Sequence, residues 1–150
     1  MKRLRGNAEG VCRADRAAVA GLLRTVDQYP SWHPDVVLRV AVLERDAAGG
    51  PRMFEATLRV PVGPISMDID LTLALGTDHR DRVTLTRLPN DSEDTETFVA
   101  DWWLEQRRPA ETAIRLDLEG DIDVPRVVPL GDVGDRLARG FVDAAVAALG

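Results

Sequence analysis

The stretch PLGDVGDRLARGFVDAAVAAL, Pro129 to Leu149, decides the fold. Read as one helix, it is about 31 Å long at about 1.5 Å rise per residue. Leu130, Val133, Leu137, Phe141, Ala144 and Ala148 recur at steps of three or four, the period of a helix with one buried face. Ala138, Val142, Ala145 and Leu149 widen that face past a single contact stripe, while Asp132, Asp135, Arg136, Arg139 and Asp143 hold the opposite side. Asp132 with Arg136 and Asp135 with Arg139 are i,i+4 pairs in the favourable acid-first order, each worth about 0.2 to 0.5 kcal/mol. Gly134 and Gly140 flank the apolar centre, where each costs about 1 kcal/mol relative to Ala. They predict that something approaches the helix backbone closely. A helix too apolar for one layer and notched by glycines suits the wall of a cavity.

Composition narrows the company this helix keeps. At 150 residues the chain fits one domain and can bury roughly two thirds of its unfolded surface. A net charge of −6, from 25 acidic and 19 basic residues, argues against phosphate backbones and anionic membranes as partners. Cys12 is the sole cysteine, so neither an intrachain disulfide nor a thiolate metal cluster is available, and a reducing cytoplasm is the simplest compartment. Met1 to Asp15 lacks the apolar core of a signal peptide, and no apolar run reaches the length of a membrane span. The expectation is a cytoplasmic protein without nucleic acid, membrane insertion, metal or cofactor.

Taken in order, Lys2 to Arg13 reads as a strand with Leu4, Gly6, Ala8, Gly10 and Cys12 on one face. Asp15 is placed to cap a helix from Arg16 to Thr25, with Val19, Leu22, Leu23 and Val26 inward. In DQYPSWHPD, Asp27 to Asp35, two prolines bias Tyr29 and His33 away from the helical region, so a turn or broken helix is expected. From Val36 the period becomes two. Strands are expected over Val36 to Leu43, Met53 to Val60, Ile65 to Leu75, Arg82 to Leu88, Glu96 to Gln106 and Thr112 to Ile122. Asp46 to Pro51, Pro61 to Pro64, Gly76 to Asp81, Pro89 to Thr95 and Arg107 to Glu111 link them. The cleanest alternation puts Ile65, Met67, Ile69, Leu71, Leu73 and Leu75 on a dry face, with Ser66, Asp68, Asp70 and Thr72 on a wet one, as an antiparallel sheet permits. The sum is an α+β domain: a curved antiparallel sheet of about seven strands, in β-α-α-β6-α order, wrapped around the last helix with a hollow between them.

This order of elements, together with three stretches, resembles the START-like superfamily, also called SRPBCC or Bet v 1-like, and within it the polyketide cyclase/dehydrase and lipid-transport group. The stretches are Ala14, Asp15 with Leu22 and Leu23; YPSWHPDV from Tyr29 to Val36; and the strand bearing Trp102 followed by Glu111, Thr112 and a strand ending near Pro125. The resemblance implies a helix-grip fold with a cavity for an apolar or aromatic ligand. Its mouth would be framed by Pro61 to Pro64, Pro89 to Asp94 and the helix face from Leu130 to Phe141.

Candidate lining residues are Trp32, Phe54, Leu58, Met67, Ile69, Leu71, Arg87, Phe98, Trp102, Leu116, Val133, Leu137 and Phe141. His33 titrates near neutral pH and could serve as acid or base. Without an identified partner it points more to a surface position beside a packed Trp32. His79 reads as part of a solvated turn. Arg87 faces the mouth if Val83 and Leu85 face inward, where it could hold a carboxylate or phenolate; the other register, favoured by this strand's weak alternation, exposes it. Tyr29 and Trp102 offer polar handles on apolar bodies, and core packing serves equally well. Asp68, Asp70, Asp101 and Asp117 fall on the wet face and form no acid/base pair. The leading expectation is a protein that encloses a lipid, isoprenoid, quinone or polyketide-like molecule. The alternatives are an aromatase/cyclase that holds a poly-β-keto chain in a reactive conformation, with Arg87, His33 or Tyr29 moving protons, and a homodimeric interaction module using Trp103 and Val146.

Overall fold

The computed structural model describes residues 1–150, the side chains at 77 and 78 excepted. Seven strands run in chain order as β1 (Lys2–Cys12), β2 (Val37–Arg45), β3 (Pro51–Val62), β4 (Ile65–His79), β5 (Arg82–Arg87), β6 (Thr97–Arg108) and β7 (Glu111–Ile122). The helices are α1 (Arg16–Arg24), α2 (Tyr29–Trp32) and α3 (Val133–Ala148), with a single 3-10 turn, Val26–Gln28, ahead of α2. All neighbours pair antiparallel in the order β1-β7-β6-β5-β4-β3-β2. The sheet curves around α3 in the helix-grip arrangement.

Strand alternation sets which face is dry. Along β7, Thr112, Ile114, Leu116, Leu118 and Gly120 are buried while Arg115 and Glu119 are exposed. Along β6, Phe98, Ala100, Trp102 and Leu104 turn inward in the same rhythm. The acids expected on the wet face are there: cross-strand contacts tie Asp68 to Arg59 at 3.1 Å, Asp101 to Arg82 at 3.0 Å and Asp70 to the Thr57 hydroxyl, from which it accepts at 2.7 Å, while Asp117 pairs with Arg115 of its own strand at 3.2 Å.

Several boundaries move, each for a local reason. Helix α3 begins at Val133, because Pro129 and Gly131 keep the preceding residues out of helical conformation. Strand β3 continues through Pro61 and Val62, leaving Gly63 and Pro64 as a two-residue hairpin loop with Gly63 at φ 60°. Strand β4 runs on to His79, which pairs with Arg82, so the expected turn from Gly76 shrinks to Arg80 and Asp81. Of that expected turn, the side chains at 77 and 78 lie outside the described residues. His79 itself is exposed. Ile65, expected on the dry face, is 58 % exposed because it closes the β3–β4 hairpin beyond the reach of α3.

Helix α3 lies chiefly on β1, and glycines set how close it comes. A Cβ built on Gly134 would sit 1.9 Å from the Arg5 carbonyl oxygen, and one on Gly6 would sit 2.0 Å from the Gly134 carbonyl carbon. The expected close approach is therefore real at Gly134. At Gly140 it is not, because the nearest atoms to such a Cβ are in the His33 ring at 3.7 Å. The buried stripe is Val133, Leu137, Ala138, Val142 and Ala145; Ala148 is exposed. Val146 packs against the core beside Gly10 rather than facing outward. The Asp132–Arg136 pair forms at 3.3 Å. Asp135 and Arg139 do not pair, since Asp135 accepts from the Asn7 backbone N–H while Arg139 reaches the Glu9 carbonyl and Asp143.

Candidate functional site

Between the concave face and α3 lie two hollows. The outer one, about 110 Å³, opens toward the end of the sheet where the β3–β4 hairpin, the 88–96 loop and the start of α3 converge. Val60 and Val62 from β3, Met67, Ile69 and Leu71 from β4, and Leu130, Val133 and Leu137 from the helix side supply its apolar wall. Arg87, Glu96 and Asp123 are its charged border. The inner hollow, about 40 Å³, lies among Tyr29, Phe54, Ala56, Trp102, Leu116 and Phe141. Leu58 and Phe98 border both.

Each lining residue predicted from sequence except Trp32 borders one of these hollows. Trp32 is half-buried outside them, edge-on to Tyr29 with ring centroids 5.1 Å apart. Ala56, Val60 and Val62 were not among the predicted lining residues, although they share the inward phase of Phe54 and Leu58 on β3. Leu4 and Ile122 share the inward phase of β1 and β7 in the same way, whereas Val124, beyond the end of β7, carried no such signal.

Arg87 corrects the expectation of exposure. Its side chain is 5 % exposed, and it completes the inward series Val83, Leu85, Arg87 on β5. Strand β5 ends there, so the guanidinium meets the loop that follows. Nη2 lies 2.6 Å from Asp94 Oδ2, while Nη1 donates to Asp94 Oδ1 at 3.1 Å and to the Glu96 carbonyl at 2.8 Å. The Glu96 carboxylate stands 3.6 Å away and accepts from the Asp123 backbone N–H at 2.9 Å. Asp94 also accepts from the backbone N–H groups of Asn90 and Glu96, at 2.8 and 3.1 Å. One arginine and two carboxylates leave a local excess of negative charge. This disfavours the anionic ligand that an isolated Arg87 would suit.

The Arg87 hydrogen bond and the two backbone donors hold the Asp94 carboxyl down at about 2 against burial. A carboxylate whose pKa is depressed by folding contributes stability above its unfolded value of 3.8, and that contribution disappears as pH falls through the folded one. Asp94→Asn is therefore expected to be less stable than wild type at pH 7, with the gap closing between about pH 4 and about pH 2. Urea unfolding of both proteins across that range measures it; a constant gap would show that Asp94 is not the group responsible.

Neither of the other proton-moving candidates borders the outer hollow. The Tyr29 hydroxyl donates to the Leu23 carbonyl, and burial pushes its pKa up. His33 is buried, not on the surface. Its ring sits edge-on to Phe141 at 4.6 Å and stacks on Trp32 at 6.2 Å. Burial lowers its pKa, with Asp35 opposing. Phe141 stands between it and the inner hollow. Trp103, offered as a contact residue, lies on the wet face with Arg82 and Arg115 over its ring at 4.4 and 5.2 Å. Among the described residues no helix is long and apolar enough to cross a membrane.

No family model and no curated protein matches the sequence. Solved structures do match in fold. A START superfamily protein from Mycobacterium smegmatis superposes with a TM-score of 0.76 at 14 % identity, over 97 % of this chain and 96 % of that one. The Zhui aromatase/cyclase of a Streptomyces species gives 0.72 at 14 % identity, over 99 % and 94 %. Ginseng major latex-like protein 151 from Panax ginseng gives 0.65 at 11 % identity, over 99 % and 98 %. At these identities the likeness establishes the fold alone.

Proposed function

We propose that this chain of START-like fold binds one compact apolar molecule in the outer hollow and acts by enclosing it, not by transforming it. The observation that carries this reading is the outer hollow itself: aliphatic on nearly every side, bordered by α3 and closed at its rim by the Arg87, Asp94, Glu96 cluster. Size decides what fits. At about 110 Å³ the space falls well below the roughly 300 to 1,000 Å³ of pockets that take drug-sized ligands. A single ring suits it; an extended poly-β-keto chain does not. An aromatase/cyclase would also need a proton donor or acceptor facing its substrate. Arg87 is paired, the Tyr29 hydroxyl is engaged, and His33 lies behind Phe141.

Native mass spectrometry of protein purified from its own host, with thermal shift against single-ring apolar compounds, tests the reading. The expected result is a bound apolar species and stabilisation by about 2.7 kcal/mol at a hundredfold excess over Kd. The absence of both a co-purifying species and stabilisation by any such compound would overturn it.

A further inference from the structure

Leu58 and Phe98 are the two residues common to both hollows. They come from β3 and β6, which stand three strands apart, roughly 14 Å along a sheet with strands about 4.8 Å apart. Curvature brings them to border the same two spaces. Both are nearly fully buried, at 8 % and 9 % exposure. The next inward position on each strand, one step away from the mouth, is an alanine: Ala56 after Leu58 on β3, and Ala100 after Phe98 on β6. Both alanines line the inner hollow. The interior is thus narrow where two bulky side chains meet it and open again where two small ones replace them. In register, Phe98 faces Gly120, so no cross-strand side chain on β7 competes for that space.

Accepting the binding reading above, on which this step rests, we infer that Leu58 and Phe98 form a waist that sets the length of the guest, restricting it to single-ring molecules held in the outer chamber. The inner chamber is too small to take a ring by itself, whereas the outer one approaches the roughly 150 Å³ apolar cavity that admits benzene. A guest longer than one ring would have to pass between the two side chains. Both sit in a packed interior that resists displacement. Shortening either one joins the chambers along the line of Ala56 and Ala100.

The test is a two-member ladder, benzene and naphthalene, titrated by ligand-detected NMR against the intact wild type, Phe98→Ala and Leu58→Ala. Phe98→Leu and Leu58→Val are included as milder variants if the alanine proteins do not fold. Wild type is expected to bind benzene and to bind naphthalene at least tenfold more weakly. The waist variants are expected to gain at least tenfold for naphthalene while changing less for benzene. Wild type that takes naphthalene as well as benzene overturns the waist, and so do folded variants that gain nothing for naphthalene; in both cases the binding reading stands. Wild type that takes neither compound overturns the binding reading and the waist with it.

Discussion

Gly134→Ala is expected to destabilise the protein by about 3 kcal/mol, the upper part of the usual range for overpacking. The added methyl would lie 1.9 Å from the Arg5 carbonyl oxygen and 2.4 Å from its carbon. These are backbone atoms of a strand paired residue by residue with β7, so no rotamer change relieves the clash. Either the first turn of α3 lifts off β1 or the strand bends. Helix propensity favours Ala over Gly by only about 1 kcal/mol, too little to reverse the sign. The same substitution six residues later should act oppositely. At Gly140 the new methyl makes ordinary contact with the His33 ring at 3.7 Å, and propensity dominates. Gly140→Ala should be more stable than wild type by up to about 1 kcal/mol. Thermal unfolding separates the two: a fall of roughly 10 °C for the first and a rise of a few degrees for the second, for a domain of this size. A Gly134→Ala protein that melts no lower than wild type would show that α3 does not rest on β1 through Gly134.

Trp102→Ala is expected to cost about 4 kcal/mol, within the usual range for truncating a buried Trp. Trp102 is 2 % exposed and borders the inner hollow, so the space it vacates adds to an existing void. A site that already fails to close around about 40 Å³ should collapse poorly around more. The vacated volume has the shape of an indole. Free indole at a hundredfold excess over its Kd should return about 2.7 kcal/mol to the variant and nothing comparable to wild type. Denaturant titration of the variant with and without indole measures this. A variant that loses stability but gains none from indole would mean that the inner wall has collapsed and that the inner hollow is no fixed feature of the interior.

How much of this was readable beforehand depended on whether one local period governed a residue. The dry face of β4 and the inward series on β6 follow from strict alternation, and they named Met67, Ile69, Leu71, Phe98 and Trp102 correctly as residues facing the interior. Asp15 announced its helix, and its side chain accepts from the Ala18 N–H at 2.8 Å. Arg87 was misjudged because a charged residue at an inward position is costly unless paired. Its partner Asp94 lies seven residues on in an irregular loop, where no period applies. His33 was misjudged for a related reason: what buries it is Phe141, more than a hundred residues distant. The Asp135 and Arg139 pair was sound helix logic overridden by tertiary contacts, since the backbone of β1 offers each a competing partner. Gly134 and Gly140 looked alike in sequence, and only the position of β1 distinguishes them.

The pairing of β1 with β7 also governs how the protein comes into being. Lys2 is matched to Ile122 and Cys12 to Thr112, so the first of the seven strands has its sheet neighbour, among the described residues, in a segment synthesised about a hundred positions later. At about 5 to 20 residues per second of translation, that is a wait on the order of ten seconds. Throughout it, the first strand's backbone donors and acceptors are open to stray pairing, and the helix that covers its greasy side is made later still. Completion of this architecture therefore waits for β7 and the helix that follows it, and a nascent chain held by a chaperone until then would be spared its most hazardous interval.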